Sequence, residues 1–396
     1  MKIADRLFLQ GSFDRETLSF LRQMGAEGVF INIAGELHGN LEHTPVIDNA
    51  LRQRLRSGPH WLVADLRALR RAVEGFGLEL CSLAHTPPDR YRNALFGTAG
   101  RDAEIDQWCR SLEAMGQAGI PVLQYSWYSN AGASHTNWHT ETGIPIRGGA
   151  LGEGFDYSEA ARTPATEQGM VGDEQLWDSL GYFLRRVIPV AESAGVRMAM
   201  HPADPQVPAL AGIARILRSR EAFDRMLDIV PSHANAMTFC QGCFSQIMDA
   251  DGVYEAIEHF TSRDAVAFVH FRNVSAASTR ERFTESFWDE GKIDMVRAMR
   301  SYTLGGYQGY LSPDHHPHVV GDTGWGHRSR GFALGYMRGL IQSGAAGLEH
   351  GDRAQAVETG SALVGLLHSG HDGESVDQAS HAASTNFEVS NEEQAR

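Results

Sequence analysis

The sequence predicts an α/β protein folded as a (β/α)₈ barrel, and three observations support this prediction. Short apolar runs rich in β-branched and aromatic residues alternate with longer amphipathic segments, which is the pattern of βα units around a parallel sheet. There are eight such runs, and a helical segment follows each one. Several helical segments end in Gly directly before the next run, as helix C-caps do. A doubly wound open sheet fits the same alternation, but the count of eight favours the barrel.

The predicted strands are short, and the helical segments fill the intervals between them. The strands are expected at residues 4–11, 28–34, 78–84, 121–127, 196–201, 236–242, 265–274 and 309–314. The helical segments are expected at residues 15–25, 60–77, 103–119, 173–195, 221–230, 253–262, 292–305 and 329–344. In a barrel of this kind the active site lies at the carboxyl ends of the strands, so the residues that end the strands are the first candidates for function.

Composition and charge exclude several classes of function. With 396 residues, of which 42% are hydrophobic, the chain can bury a large core. A net charge of −14 without any basic cluster interleaved with aromatics argues against a nucleic-acid partner. No apolar run of the length of a signal peptide or a membrane span is present, so no membrane association is expected. The four cysteines suit a reducing compartment, and the cytoplasm is the expected location.

Two segments depart from a compact barrel. Residues 128–172 form a long Gly-rich and polar insertion after the fourth strand, and they contain histidines, a tryptophan and Arg147. Because loops of this length are usually functional or disordered, this content favours a lid on the active-site face over a flexible linker. Residues 368–396 are polar without apolar periodicity and are expected to be disordered. Residues 1–367 are therefore predicted to form a single catalytic barrel domain.

Four consecutive strands end in, or contain, a residue that can bind a metal. These residues are His201, Cys240, His270 and Asp314, and they are separated by 39, 30 and 44 residues. Each spacing is about one βα unit, so the four side chains are expected to converge on one side of the barrel mouth. Alone, each residue has an ordinary interpretation as a buried histidine or cysteine or as a loop residue. The coincidence of all four predicts a metal site.

The mixed set of ligands narrows the choice of metal but does not identify a single ion. Two imidazoles, a thiolate and a carboxylate leave Mn²⁺, Fe²⁺, Co²⁺ and Zn²⁺ as candidates. Cys243 follows Cys240 by three residues, and such a pair also occurs in redox motifs and zinc ribbons. The sequence has no second pair with this spacing, so Cys243 is interpreted as a structural residue.

The same region resembles the mannonate dehydratase family, from about residue 196 to residue 343. The motifs that carry the resemblance are HPADP, SHANAMTFCQG, FVHFRNV, FWDEGKIDMVRAMRSY and PDHHPHVVGD, in that order. The resemblance implies a xylose-isomerase-like TIM barrel that dehydrates D-mannonate to 2-dehydro-3-deoxy-D-gluconate with Mn²⁺ or Fe²⁺, in hexuronate catabolism. It also implies a small sugar-acid substrate and a homo-oligomer. Two departures, Ala203 within HPADP and the WGHR stretch at residues 325–328, bear on the sugar acid more than on the reaction class.

The resemblance implies roles for individual residues as well. His201, Cys240, His270 and Asp314 would be the metal ligands, and His315 would be the catalytic residue beside Asp314. Removal of water across C2 and C3 needs stabilisation of an enediolate and movement of protons, which a divalent metal and an imidazole can supply.

Further residues are candidates for binding the substrate. Arg272 and Arg147 could hold the substrate carboxylate, and Asn273 and His327 could contact the rest of the sugar acid. Three alternatives remain open at this stage: a dehydratase for another sugar acid, a sugar isomerase or epimerase on the same barrel, and a sugar-acid-binding protein without turnover.

Overall fold

The computed structural model describes residues 1–36, 44–84, 90–128 and 140–344. The strands are β1 (Lys2–Gln10), β2 (Gly28–Glu36), β3 (Glu79–Ala84), β4 (Val122–Ser126), β5 (Glu141–Pro145), β6 (Leu151–Asp156), β7 (Arg197–His201), β8 (Ala209–Leu210), β9 (Ile213–Ala214), β10 (Asn235–Cys240), β11 (Val266–His270), β12 (Arg282–Thr284) and β13 (Tyr310–Ser312). Eight of them close into a parallel barrel in the order β1, β13, β11, β10, β7, β4, β3, β2. These eight are the eight predicted strands, so the predicted fold class is confirmed.

Helices cover the outside of the barrel. They are α1 (Arg15–Gln23), α2 (Asn49–Ser57), α3 (Val63–Glu74), α4 (Arg92–Phe96), α5 (Arg101–Ala118), α6 (Tyr157–Ala160), α7 (Asp173–Ala194), α8 (Arg220–Ile229), α9 (Gln241–Ile247), α10 (Ala250–Ser262), α11 (Met295–Leu304) and α12 (327–344). The predicted C-cap glycines are present, because Gly119 and Gly195 adopt left-handed conformations directly after α5 and α7. The sequence reading missed the short helices α2, α4, α6 and α9. None of the described helices is long and apolar enough to cross a membrane.

The barrel interior is layered from an apolar floor to a polar mouth. Alternation along β4 and β10 turns every second side chain inward, and Val122 and Ala236 belong to a small apolar cluster in the floor. Two residues further along these strands, Gln124 and Thr238 form a buried polar layer. The next inward position of β10 is Cys240 at the strand end. The candidate ligands therefore lie directly above a polar layer.

The insertion after β4 builds a second, smaller sheet. Strands β5 and β6 form an antiparallel hairpin, and β6 also pairs with β12, which follows barrel strand β11. Further backbone pairing joins Leu151 to His318 and Val171 to Ile213. The described part of the insertion therefore contacts the segments that follow β7, β11 and β13. The predicted lid side chains before residue 140 and the predicted tail at residues 368–396 lie outside the described residues.

The contact between α5 and α7 gives a test of this packing. A methyl group at Gly116 would lie 2.3 Å from the carbonyl oxygen of Ala194, which is backbone and has little freedom to move. We expect Gly116→Ala to lower the free energy of unfolding by ~1–3 kcal/mol, as overpacking does. The matched control is Gly335→Ala in α12, where nothing lies within 4 Å, and it should raise stability by ~0.5–1 kcal/mol. Equal stability of the two variants in urea titrations would contradict this account.

Candidate metal centre

Three of the four candidate ligands meet at the carboxyl end of neighbouring strands. His201, Cys240 and His270 are the last residues of β7, β10 and β11, which are adjacent in the barrel. All three are buried, and one ligand atom from each lies within 4.8 Å of the others. Nε2 of His201 lies 3.2 Å from Nδ1 of His270. Two imidazole nitrogens and a sulfur that converge in this way match the donors that divalent transition metals take in proteins.

Asp314 reaches the edge of this cluster from β13. Its Oδ2 lies 3.4 Å from Nδ1 of His270. Its backbone is left-handed, with φ of 60°, a conformation that Asp tolerates better than most residues. Arg6 and Arg330 hold this conformation because each donates a hydrogen bond to the Asp314 carbonyl at 3.3 Å. The turn therefore directs the carboxylate toward the three other ligands.

The Asp314 carboxylate is held in its charged form. Burial by itself would raise its pKa, but the charges of His270, His315, Arg6 and Arg272 outweigh burial and hold the pKa well below its ordinary value. Arg272 Nε lies 3.1 Å from Oδ2, and Arg6 Nη1 lies 3.3 Å from Oδ1. The carboxylate is therefore available as an anionic ligand.

The two neighbouring cysteines are electrostatically different. Burial would raise the pKa of Cys240, but a hydrogen bond from Cys243 and the charge of Arg272 hold that pKa well below its usual value. For Cys243, burial and the hydrogen bond with Cys240 both raise the pKa. The surroundings thus favour the thiolate form at Cys240 and the neutral thiol at Cys243. This assignment agrees with the interpretation of Cys243 as a structural residue.

Arg272 follows the end of β11 by two residues and is 1% exposed. Its guanidinium contacts Asp204 at 2.7 Å, Glu285 at 2.7 Å and Asp314 at 3.1 Å. Three carboxylates already surround the cation, so these contacts support orientation of Asp314 rather than the expected contact with a substrate carboxylate. Burial and nearby negative groups raise the pKa of Glu285 well above its ordinary value, although Arg272 opposes this shift.

His315 lies beside Asp314 with its imidazole facing the same cluster. Its Nε2 lies 3.5 Å from Oδ2 of Asp314, and its Nδ1 lies 3.8 Å from Glu285 and 4.0 Å from Glu153. Glu153 is on β6 and Glu285 directly follows β12, and the amide of Glu285 bonds the carbonyl of Glu153 at 2.8 Å. The small sheet therefore brings two carboxylates to the imidazole predicted to be catalytic.

Asn273 and His327, two of the remaining residues predicted to bind the substrate, lie in different surroundings. Asn273 is fully buried and bonds the backbone of Val274 and Ile293, so its amide serves the fold. His327 bonds the hydroxyl of Thr323 at 2.6 Å and packs against Phe20 and Trp325. These contacts of Asn273 and His327 support structural roles, because neither residue touches a candidate ligand.

Arg147 lies in the turn between β5 and β6 and is paired with acidic residues at the surface. Its guanidinium is 2.7 Å from Asp289 and 3.5 Å from Glu290 and lies over the ring of Phe287. Arg147 is therefore engaged by two carboxylates, and its contacts do not link it to the cluster.

Sequence reasoning missed several residues that complete the site. Gln124 contacts His270 from β4, Glu285 contacts Arg272, and Arg6 contacts Asp314. Arg6 gave a visible signal, since a charged pair, Asp5 and Arg6, interrupts an otherwise apolar strand. Gln124 and Glu285 gave none, because no local sequence pattern links either residue to its partner.

The comparisons with known proteins agree with one another. A model of the D-mannonate dehydratase (UxuA) family matches residues 156–349, a range that contains all four candidate ligands and His315. A mannonate dehydratase of Streptococcus suis is 28% identical in an alignment of 334 residues that covers 76% of this chain and 89% of that protein. One of Streptococcus equi subsp. zooepidemicus is 29% identical in an alignment of 310 residues that covers 72% of this chain and 84% of that protein.

Solved structures extend the comparison to the fold. The crystal structure of mannonate dehydratase from Streptococcus suis serotype 2 covers 88% of this chain and 95% of its own, with a TM-score of 0.73 and 27% identity. D-psicose 3-epimerase from Clostridium cellulolyticum H10 covers 88% of this chain and 98% of its own, with a TM-score of 0.51 and 12% identity. The second likeness is one of fold alone.

The fold and the cluster define a class, the xylose-isomerase-like (β/α)₈ barrels, here with a metal-capable cluster at the carboxyl ends of the strands. Within this class the chain is similar to the mannonate dehydratases in its family-model match, in its sequence relatives and in fold, so the resemblance seen in the sequence is confirmed. The family consists of metal-dependent hydro-lyases.

Substitution of the two neighbouring cysteines should separate the ligand from its neighbour. We expect Cys240→Ser to deplete the bound divalent metal, because it removes the thiolate, and His270→Ala to do the same. Cys243→Ser is the matched control, since a hydroxyl can also donate a hydrogen bond to Cys240, and Cys81→Ser in β3 is a second control. Elemental analysis of the purified variants measures this directly. Full metal content in both Cys240→Ser and His270→Ala would contradict the ligand assignment. Loss of metal in Cys243→Ser would indicate that Cys243 is a ligand.

Proposed function

We propose that this chain dehydrates D-mannonate to 2-dehydro-3-deoxy-D-gluconate and water, with Mn²⁺ or Fe²⁺, in the breakdown of hexuronates. The observation that carries the proposal is the convergence of His201, Cys240 and His270 with Asp314 and His315 at the barrel mouth. The similarity of the chain to mannonate dehydratases supports the choice of substrate. On the same likeness we propose that the enzyme is cytoplasmic and a homo-oligomer, and light scattering of the purified protein would test the latter.

The metal would be held by Nε2 of His201, Sγ of Cys240, Nδ1 of His270 and a carboxylate oxygen of Asp314. These donors fit such an ion, because three of them converge within 4.8 Å and the fourth is an ionised carboxylate beside them. When bound, the metal supplies Lewis-acid stabilisation of the negative charge that develops on the substrate carboxylate.

The protein's own residues account for the movement of protons. Loss of the C2 proton and departure of the C3 hydroxyl as water leave an enol, which tautomerises to the 2-keto acid. His315 is the imidazole beside the cluster, and a positioned imidazole can accept or donate a proton near neutral pH. Arg272, Arg6 and Arg330 keep Asp314 and its turn in place, so that the ligand and the imidazole share one rigid segment.

A panel of substrates tests the reaction class. Purified protein supplied with Mn²⁺ should convert D-mannonate to a 2-keto-3-deoxy acid, detected by its thiobarbituric acid reaction, faster than it converts other hexonates. A preference for a different hexonate would replace the substrate but keep the class of reaction. An isomeric sugar acid as the product would indicate an isomerase or epimerase. Binding without any product would contradict an enzymatic function.

Two adjacent substitutions should separate metal binding from proton transfer. We expect His315→Asn to keep the metal and the substrate affinity while kcat falls ~10²-fold or more, as loss of a positioned acid or base does. Asp314→Asn should lower both metal affinity and rate, and Asn tolerates the left-handed backbone at this position, so the turn is retained.

Metal content, substrate binding and turnover should be measured on both variants in excess Mn²⁺. A His315→Asn protein with parental turnover would remove His315 from the mechanism. A His315→Asn protein that loses the metal would make His315 a ligand instead.

A further inference from the structure

A chain of buried polar groups runs across the barrel interior to His270. Nε2 of His270 lies 3.1 Å from Oε1 of Gln124, and Nε2 of Gln124 lies 3.1 Å from the hydroxyl of Ser82. The Ser82 hydroxyl in turn lies 3.1 Å from the carbonyl oxygen of Leu83. Ser82, Gln124 and His270 are all buried, so these contacts replace water. The chain links strands β3, β4 and β11 beneath the candidate metal centre.

The direction of every hydrogen bond in this chain follows from the Leu83 carbonyl at its end. A backbone carbonyl only accepts, so the Ser82 hydroxyl donates to Leu83 and accepts from the amide group of Gln124. That orientation turns the Gln124 carbonyl oxygen toward His270. Because this oxygen only accepts, Nε2 of His270 carries the proton, and in the neutral ring Nδ1 is then the free acceptor.

A second carbonyl fixes the other imidazole of the pair. Nδ1 of His201 lies 2.7 Å from the carbonyl oxygen of Pro202, so Nδ1 is the protonated nitrogen and Nε2 is the acceptor. The two acceptors, His201 Nε2 and His270 Nδ1, face each other at 3.2 Å. Oδ2 of Asp314 is a third acceptor, 3.4 Å from Nδ1 of His270. Such an arrangement is stable with a cation among these atoms.

We infer that Gln124 is a positioning residue for the metal centre: its carboxamide oxygen keeps the His270 proton on Nε2 and so presents Nδ1 to the metal. This inference rests on the metal site of the proposed function. Partners of this kind, bound to the remote nitrogen of a ligating histidine, orient the ring and raise its basicity. Gln124 itself is oriented by Ser82, and Thr238 adds a contact to the same oxygen at 3.4 Å.

Gln124 can be replaced without depriving Ser82 or Thr238 of a hydrogen-bond acceptor. In Gln124→Met, Ser82 still donates to the Leu83 carbonyl, and Thr238 still has the Ala199 carbonyl at 3.4 Å. His270 is thus the group that loses its partner. Gln124→Glu is the conservative counterpart, since a carboxylate oxygen also accepts from Nε2, while the Ser82 hydroxyl can turn to donate to the other oxygen.

The Kd for Mn²⁺, measured from the electron paramagnetic resonance signal of free aqueous Mn²⁺, tests this inference without any turnover. We expect Gln124→Met to bind Mn²⁺ ~10- to 100-fold more weakly than the parent, the usual cost of losing such a partner. Gln124→Glu should bind at least as tightly as the parent. If Gln124→Met does not fold, Gln124→Ala takes its place with the same expectation.

A destabilising variant far from the metal centre separates positioning from general loss of structure. Asn235 begins β10 and bonds the carbonyls of Met226 and Val230, so Asn235→Ala should lower the Tm and leave the Mn²⁺ Kd unchanged. Parental Mn²⁺ affinity in Gln124→Met, or equal weakening in Gln124→Glu, would overturn the role of Gln124 alone. Failure of the parent to bind Mn²⁺ would overturn the metal site and this inference together.

Discussion

The parallel register of four neighbouring strands is the constraint on which the rest of the site depends. Each strand enters the barrel from the same side, so β7, β10 and β11 all end at the same mouth, and Cys240 and His270 are partners in register. Helices on the outside return the chain after each strand and bury the large apolar core against the sheet. The barrel therefore holds the backbones of the candidate ligands close together.

Charge compensation is the second requirement, because a thiolate and several carboxylates are buried in a small volume. Arg272 pairs with the carboxyl groups of Asp204, Glu285 and Asp314. Arg330 pairs with the fully buried Asp5 near the Asp314 turn. Burying charges is costly unless each has a partner, and removal of one partner leaves the other uncompensated. The arginines thus explain how an acidic ligand with a left-handed backbone persists in the interior. The arginines also leave the Cys240 sulfur and the Asp314 carboxylate oriented toward the position that a metal cation would occupy.

The small sheet built from the insertion connects the site to its surroundings. It draws β5 and β6 from the insertion hairpin and β12 from the segment after β11, and Glu153 on β6 and Glu285 directly after β12 lie near His315. A further backbone pairing ties Leu151 to His318, three residues beyond the imidazole. The residue predicted to transfer protons is therefore fixed both by the barrel turn and by the insertion.

The sequence by itself determined the barrel strands and the choice of candidate ligands, because both depend on local periodicity and on spacing along the chain. Eight apolar runs separated by helical segments predicted the eight barrel strands, and the interval of one βα unit predicted which strand ends meet. Tertiary structure alone decided the partners of those residues, such as Gln124 with His270, which are 146 residues apart. It also assigned Arg272 and Asn273 to interior hydrogen bonding, since a sequence cannot reveal whether a polar side chain faces the substrate or a buried carboxylate. Contacts of that kind follow from the closure of the barrel, which no local pattern encodes.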